Sequence, residues 1–214
     1  KSDRKQVKKL FTLEKMSLSH GDRFALSRPL TEKEKEAHKE KVSELPTFRY
    51  HPDPLAAGSF KEGKAKICPC CEKESTVYYT LRPYCIENVE NLCPTCISTG
   101  RAAQKFEAEF IQDADWQGVM DKEKDQVLFC QTPGYISWQG ENWLSCCQDY
   151  CAYLGTVGTR ELEEMGIAER VLEEYEARGE FQDVADYLVK DGDMCGYLFR
   201  CLHCEQYHLW VDAN

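Results

Sequence analysis

Four closely spaced cysteine pairs constrain this chain more than any other feature of its sequence. The pairs are Cys68 with Cys71, Cys93 with Cys96, Cys147 with Cys151, and Cys201 with Cys204. A structural zinc ion takes four thiolates in a tetrahedron, and one tight turn can present two of them across a gap of two or three residues. The eight cysteines therefore match the ligand count of two structural zinc ions. Because sulfur would fill every position, neither site would keep the water that a catalytic zinc needs.

The cysteine count argues against a secreted disulfide framework. There are 13 cysteines, an odd number, and the close pairs are too short to bridge distant strands. No apolar run reaches the ~20 residues of a membrane helix, and the first residues lack the apolar stretch of a signal peptide. We expect a soluble, cytoplasmic zinc protein. We expect most of the remaining thiols to be small buried side chains, namely Cys70, Cys85, Cys130, Cys146 and Cys195.

Residues 1–44 form a lysine-rich extension or linker in this interpretation. Lys5–Met16 has helical composition, and Thr31 can cap a charged, solvated helix that runs to Glu44. The character changes at Leu45, where apolar and polar residues begin to alternate. We therefore predict one folded cysteine-rich domain over residues 45–214.

The first metal module is predicted over residues 66–110. A cysteine turn precedes the β-rich run Thr76–Leu81, and Cys93-Pro-Thr-Cys96 leads into a segment of helical composition after Gly100. The order of knuckle, hairpin, knuckle and helix is typical of a treble-clef module. The fold class expected is α+β, with small zinc-stabilised treble-clef or zinc-ribbon-like modules, short antiparallel strands and packed helices.

The second metal module is predicted over residues 143–214. A helix over Trp143–Leu154 would place Cys147 and Cys151 on one face, four residues apart. Their partners would be Cys201 and Cys204, in the turn of a final hairpin. Further predicted elements are a strand at Val127–Cys130, helices over Thr159–Ala177 and Phe181–Leu188, and hairpin strands at Tyr197–Arg200 and Tyr207–Val211.

Charge is divided unevenly along the chain. Residues 1–45 hold 12 lysines and arginines against 8 acidic residues, whereas residues 46–214 hold 15 against 29. Each site of four thiolates and one zinc ion adds a further −2, which takes the body to about −18. Such a field repels nucleic acid and attracts basic proteins. We therefore expect a basic protein partner, with no nucleic-acid binding by the acidic body and no membrane association.

The sequence contains no recognisable catalytic constellation. A thiol oxidoreductase would need its Cys-x-x-Cys motif in a thioredoxin-like βαβ context, which neither region shows, and no local signature supports a dyad such as Cys130 with His51. We expect a non-enzymatic protein. The alternative is an enzyme or thiol-redox protein that acts on a small molecule in a pocket lined by the aromatic residues of Tyr135–Trp143.

Long motifs in residues 45–214 resemble the CbrC family of small bacterial cysteine-rich proteins. They include LPTFRYHPDPLA, ICPCC, LCPTCISTGRAAQKFEAEF, TPGYISWQGENWLSCCQDYCAYLG and GYLFRCLHCEQYHLWVDAN, and the first 44 residues lie outside them. The eight cysteines predicted as ligands fall in these motifs, and Cys146 looks like a replaceable neighbour. The resemblance implies an association with tolerance to nuclease colicins and a role in toxin immunity, and it carries over no catalytic residues. The expected function is therefore that of a zinc-stabilised immunity or tolerance factor that binds a basic, nuclease-type toxin.

Overall fold

The computed structural model describes residues 31–178 and 181–214. It is a mixed α+β structure with short, mostly antiparallel strands, as predicted. The helices are α1 (Glu32–Glu44), α2 (Pro94–Ser98), α3 (Arg101–Phe106), α4 (Lys122–Gln131), α5 (Thr159–Glu164) and α6 (Ala168–Ala177). The strands are β1 (Phe60–Ile67), β2 (Glu74–Tyr79), β3 (Asp113–Ala114), β4 (Asn142–Trp143), β5 (Ser145–Cys146), β6 (Asp149–Tyr150), β7 (Ala152–Val157), β8 (Met194–Arg200) and β9 (Tyr207–Ala213).

Helix α1 begins with the cap that the sequence predicts. The Thr31 hydroxyl accepts a hydrogen bond from the Glu34 backbone N–H at 3.3 Å, and the Glu34 carboxylate accepts one from the Thr31 N–H at 2.8 Å. This reciprocal arrangement is a capping box. His38, on the same helix, lies 2.7 Å from the carboxylate of Asp53. The predicted helix Lys5–Met16 lies outside the described residues.

The first half of the body is built on an antiparallel hairpin of β1 and β2. Its register pairs Phe60 with Tyr79, and both rings are buried. Helix α2 ends at Ser98, and Gly100 directly precedes α3 with a φ of 71°, in the left-handed region that glycine adopts without strain. The core of this half also contains Ile97 and Phe110. The predicted β-rich run and the helical segment after the second cysteine pair are confirmed.

The second half is built on the antiparallel sheet β7–β8–β9, and its core is aromatic. Tyr135 stacks on Tyr153 with ring centroids 4.3 Å apart, and Trp143 meets Phe199 edge-on at 5.6 Å. Tyr135 and Trp143 are fully buried, so both rings belong to the packed core. The predicted strands of the C-terminal hairpin are confirmed, with β8 and β9 each longer than expected.

Helices α5 and α6 replace the single helix predicted over Thr159–Ala177. Helix α6 buries Val171, Leu172 and Tyr175, and these side chains share a core with Leu209 and Val211 of β9. Arg178 donates to the backbone carbonyl of Leu209 and ties the end of the helix to the same strand.

Three predicted elements are wrong. Val127–Cys130 lies inside helix α4, whose N-terminus is capped by the carboxylate of Asp121 through the N–H groups of Glu123 and Lys124. Residues 181–188 form only a short 3₁₀ turn at Val184–Asp186. The region Trp143–Leu154 is not a helix: it contains the end of β4, all of β5 and β6, and the start of β7.

Within residues 31–178 and 181–214, none of the helices has both the length and the apolar character that a membrane crossing requires.

Candidate metal centres

Cys68, Cys71, Cys93 and Cys96, here called the first tetrad, have sulfur atoms that all lie within 4.8 Å of one another. The Cys71 and Cys93 sulfurs are 3.9 Å apart. In a tetrahedron with zinc–sulfur bonds of about 2.3 Å, the sulfur–sulfur edges are about 3.8 Å. The structure thus brings together the four cysteines predicted for the first site, at a spacing that fits a zinc ion.

The first two of these cysteines lie in a tight turn at the tip of the β1–β2 hairpin. The Cys68 N–H donates to the Lys73 carbonyl at 2.9 Å, and Glu72 has a φ of 60°, which reverses the chain. The turn exposes backbone N–H groups to the sulfurs. A hydrogen bond from the Lys73 N–H is the main cause that lowers the pKa of Cys71 to about 7.

The second two cysteines of the first tetrad lie at the start of α2. Cys93 directly precedes the helix, Pro94 occupies its first position, and Cys96 follows one turn later. The Cys93 N–H donates to the Cys68 sulfur at 3.3 Å and so links the two halves of the tetrad. Burial raises the pKa of Cys93 to about 11. A bound divalent ion would overcome this effect, because it stabilises the thiolate directly.

Cys146, Cys147, Cys201 and Cys204, here called the second tetrad, also have sulfur atoms within 4.8 Å of one another. Cys146 lies 3.7 Å from Cys147 and 3.7 Å from Cys204, again close to the edge of a zinc–sulfur tetrahedron. Three of these residues are predicted ligands. The fourth is Cys146, which the sequence interpretation treated as a replaceable neighbour.

Cys151, which the sequence predicts as a ligand, lies in the aromatic core, and Cys146 is the fourth cysteine of the second tetrad. The prediction of Cys151 as a ligand requires a helix over Trp143–Leu154. The chain instead forms a hairpin in this region, in which Cys146 pairs with Asp149. Cys151 follows this hairpin and is fully buried, and its backbone carbonyl accepts a hydrogen bond from the Trp143 indole. Its sulfur is not part of the second tetrad, and burial raises its pKa.

A two-residue turn explains how the sulfurs of the adjacent residues Cys146 and Cys147 lie on the same side of the chain. Cys147 and Gln148 have φ values of 53° and 58°, so this turn between β5 and β6 is of type I′. In a straight strand, successive side chains point to opposite faces. The left-handed conformation of Cys147 removes that alternation and brings its sulfur beside that of Cys146.

The two cysteine turns on hairpins have the same backbone geometry. In the second, the Cys201 N–H donates to the Gln206 carbonyl at 2.8 Å and Glu205 has a φ of 60°. These contacts match those of Cys68, Lys73 and Glu72 position by position. Here the N–H groups of His203 and Cys204 approach the Cys201 sulfur at 3.4 and 3.5 Å. Although burial raises the pKa of Cys201, these hydrogen bonds outweigh it and lower the pKa to about 6.

A buried carboxylate holds the second tetrad in place. Asp149 is 1% exposed and lies 3.0 Å from His203 Nε2. It also accepts hydrogen bonds from Arg49 and, at 2.8 Å, from the Tyr50 hydroxyl. Burial alone raises the pKa of Asp149, but the hydrogen bonds from His203, Tyr50 and Arg49 prevail and lower it. The sequence interpretation missed this network, because its members are far apart along the chain and form no motif.

Residues 45–213 match the model of an uncharacterised protein family, UPF0167. A UPF0167 protein of Pseudomonas aeruginosa is 40% identical over 174 residues, which covers 78% of this chain and 97% of that protein. UPF0167 proteins of Mycobacterium bovis and Mycobacterium tuberculosis are each 37% identical over 177 residues, with 78% of this chain and 93% of each relative covered. No solved structure matches. The chain therefore belongs to the UPF0167 family.

Proposed function

We propose that this chain is a non-enzymatic, zinc-stabilised protein that binds a basic protein partner through its acidic surface. The observation that carries the zinc part is the pair of tetrads, each with four sulfur atoms within 4.8 Å of one another. Thiolate-only tetrahedral sites are typical of zinc, with iron as the alternative ion. With four protein ligands, each site serves structure and leaves no position for a substrate.

The arrangement around the first tetrad supports a treble-clef-like module. The hairpin β1–β2 carries Cys68 and Cys71 at its tip, and α2 carries the other two ligands at its start. The second tetrad combines a hairpin-tip turn with the short hairpin of β5 and β6. The zinc ions would tie the tip of the β1–β2 hairpin to the start of α2, and the β5–β6 hairpin to the final hairpin, so they would stabilise the fold directly.

The acidic surface proposed for the partner includes Glu169 and Glu173 on α6. Both are exposed, and within the described part of the chain neither carboxylate has a hydrogen bond or ion pair to another residue. They stand four residues apart and therefore share one face of the helix. Other acidic residues of this helix pair already, such as Glu174 with Arg170 and His208. Two like charges on one face are unfavourable alone, and a cationic partner would relieve them.

The resemblance to the CbrC family supplies the proposed class of partner, a nuclease-type toxin. A nuclease carries a basic cleft for nucleic acid, and an acidic protein complements that field. Opposite fields raise the association rate, and the increase falls with ionic strength. The chain would act as an immunity or tolerance factor that captures the toxin.

The test of partner binding uses the full zinc-loaded chain and the purified nuclease domain of a basic colicin. We expect binding whose association rate falls about tenfold or more from low to high salt. The double substitution Glu169→Gln with Glu173→Gln should weaken it. The matched control, Glu32→Gln with Glu36→Gln on α1, removes the same charge with the same spacing and should leave binding unchanged. An absence of binding at low salt, or an association rate indifferent to salt, would count against the partner proposal.

The test of the zinc part is native mass spectrometry of the same protein. We expect two zinc ions per chain, both lost on denaturation. One ion or none in a folded protein would contradict the two-site arrangement and favour the alternative, an enzyme or thiol-redox protein with free cysteines.

A further inference from the structure

The two tetrads differ in their access to solvent. In the first tetrad, Cys71 is half-buried and the other three cysteines are buried. In the second tetrad, Cys147 and Cys204 are exposed and Cys146 is half-buried. Thiolate sulfur stays nucleophilic, and its oxidation follows its exposure. A small oxidant therefore reaches the second tetrad much more readily than the first.

Within the second tetrad, the Cys146 sulfur lies 3.7 Å from two others, those of Cys147 and Cys204. The sulfurs of Cys146 and Cys204 are 3.7 Å apart and belong to different hairpins. A disulfide bond of about 2.05 Å needs only a modest approach of these atoms. Cys147 is equally close to Cys146, but the Cα atoms of neighbours joined by a trans peptide are about 3.8 Å apart, below the about 4.4 Å minimum usual for disulfides.

We propose that Cys146 and Cys204 form an oxidisable pair, so that hydrogen peroxide joins them in a disulfide and releases the zinc of the second tetrad while the first tetrad keeps its ion. This inference rests on the proposed filling of the second tetrad by zinc. It assigns an oxidative modification site to cysteines whose proposed role is otherwise only structural.

The chemistry balances with hydrogen peroxide as the oxidant. The exposed Cys204 thiolate attacks one peroxide oxygen, the O–O bond breaks, and the departing hydroxide takes a proton to become water. Cys204 is then a sulfenic acid. The Cys146 thiolate attacks its sulfur, the S–S bond forms, and the sulfenic oxygen leaves with a proton as a second water. The two thiolates lose two electrons, which the peroxide accepts.

Zinc release follows from the loss of ligands. Of the four sulfurs in the second tetrad, only Cys147 and Cys201 remain as thiolates after the disulfide forms. Two thiolates bind zinc far more weakly than four. The disulfide would join the same two hairpins that the ion joins, and the contact between Asp149 and His203 also links them. We therefore expect the oxidised chain to remain folded.

The experiment treats the purified zinc-loaded chain with increasing hydrogen peroxide and follows zinc by native mass spectrometry. We expect the count to fall from two ions to one. The denatured mass should fall by two hydrogen atoms, and peptide mapping should find Cys146 joined to Cys204. Dithiothreitol followed by added zinc should restore the second ion.

The possible failures are distinguishable. Fewer than two zinc ions before peroxide would overturn the proposed function. Two ions that both survive peroxide, release from the first tetrad before the second, or a disulfide between other cysteines would overturn only this inference. The control is Cys130→Ala, which removes a half-buried thiol outside both tetrads. It should release zinc as the original chain does, and protection by this substitution would also overturn the inference.

Discussion

The Asp149 carboxylate and His203 Nε2 lie 3.0 Å apart, and this contact joins the two cysteine-bearing segments of the second tetrad. Asp149 begins the strand that follows the turn of Cys147, and His203 lies between Cys201 and Cys204. Because Arg49 and Tyr50 donate to the same carboxylate, the segment before β1 is fastened there too. These contacts fix the relative positions of the segments that carry the four cysteines.

Replacing Asp149 with Asn should weaken zinc binding at the second tetrad. The amide keeps the shape of the side chain but loses the charge that Arg49 and His203 contact. We expect the zinc affinity of this tetrad to fall about 10- to 100-fold, with the first tetrad unchanged. Competition with a zinc chelator measures both affinities. The control is Asp186→Asn, which changes an exposed carboxylate far along the chain. Equal zinc affinity of the second tetrad in the Asp149→Asn protein and in the original chain would contradict the role of Asp149 in positioning this tetrad.

Single alanine substitutions distinguish Cys146 from Cys151 as the fourth ligand of the second tetrad. Cys146→Ala should reduce the zinc count from two to one. Cys151→Ala should keep both ions, because this side chain lies in the aromatic core, and should lower the free energy of unfolding by about 1 kcal/mol through lost packing. Native mass spectrometry gives the counts. If Cys151→Ala loses an ion and Cys146→Ala does not, Cys151 is the fourth ligand, as the sequence predicts.

Gln148→Gly should stabilise the hairpin of β5 and β6. Gln148 has a φ of 58°, and glycine at the second position of a type I′ turn is strongly favoured. We expect the free energy of unfolding of the zinc-loaded chain to rise by roughly 0.5–1 kcal/mol. Gln126→Gly, inside helix α4, should instead lower it by about 1 kcal/mol. Chemical denaturation measures both, and a loss of stability in Gln148→Gly would show that the turn has another conformation.

Acid should destabilise the fold through His51. Burial lowers the pKa of His51 to about 4 from 6.5, against the opposite effect of its hydrogen bond with the Pro133 carbonyl. The unfolded chain takes up this proton at a higher pH than the folded chain does. The stability contributed by neutral His51 is therefore complete above pH 6.5 and is lost as the pH falls to about 4. The loss amounts to roughly 3 kcal/mol.

His51→Asn isolates this effect, because the amide can still donate to the Pro133 carbonyl but does not titrate. Zinc loss in acid affects both proteins equally, since His51 belongs to neither tetrad. The difference between their unfolding free energies should shrink as the pH falls. Parallel pH profiles for the two proteins would show that His51 is accessible to protons in the folded state.

The first tetrad and the final hairpin could be predicted because the residues that specify them are close together in the sequence. In Cys68–Cys71 and Cys201–Cys204, the gap of two residues itself specifies a turn that presents both sulfurs. In the final hairpin, the flanking β-rich residues place the turn at the tip. For the Cys68–Cys71 turn the sequence predicts only the strand that follows, because β1 before it (FKEGKAKI) is rich in lysine rather than in β-forming residues. The α+β class follows from the same short elements.

The pairing of Cys146 with Cys147 in the second tetrad could not be found in this way. Residues 143–154 have the spacing of a helix at Cys147 and Cys151, but long-range pairing with β8 draws their C-terminal part into a sheet. Tertiary packing overrides such a local preference. The β-forming residues from Tyr150 to Tyr153, followed by Gly155, favour a strand over a helix in this region. The Asp149 network depends on residues about 100 positions apart and had no signal at all.

Because the two hairpin-tip turns have matching backbone geometry, the residues of one turn should be able to replace those of the other. Cys68–Lys73 and Cys201–Gln206 each place cysteines at the first and fourth positions and a left-handed glutamate at the fifth. Either six-residue turn should therefore be accepted by the other hairpin and should still present two sulfurs in the same orientation. The two turns differ in the two side chains between the cysteines and in the sixth residue, Lys73 or Gln206, so a swapped chain would move His203 away from Asp149 while keeping both cysteines. The side chains around one tetrad could thus be changed without altering the hairpin that carries its cysteines.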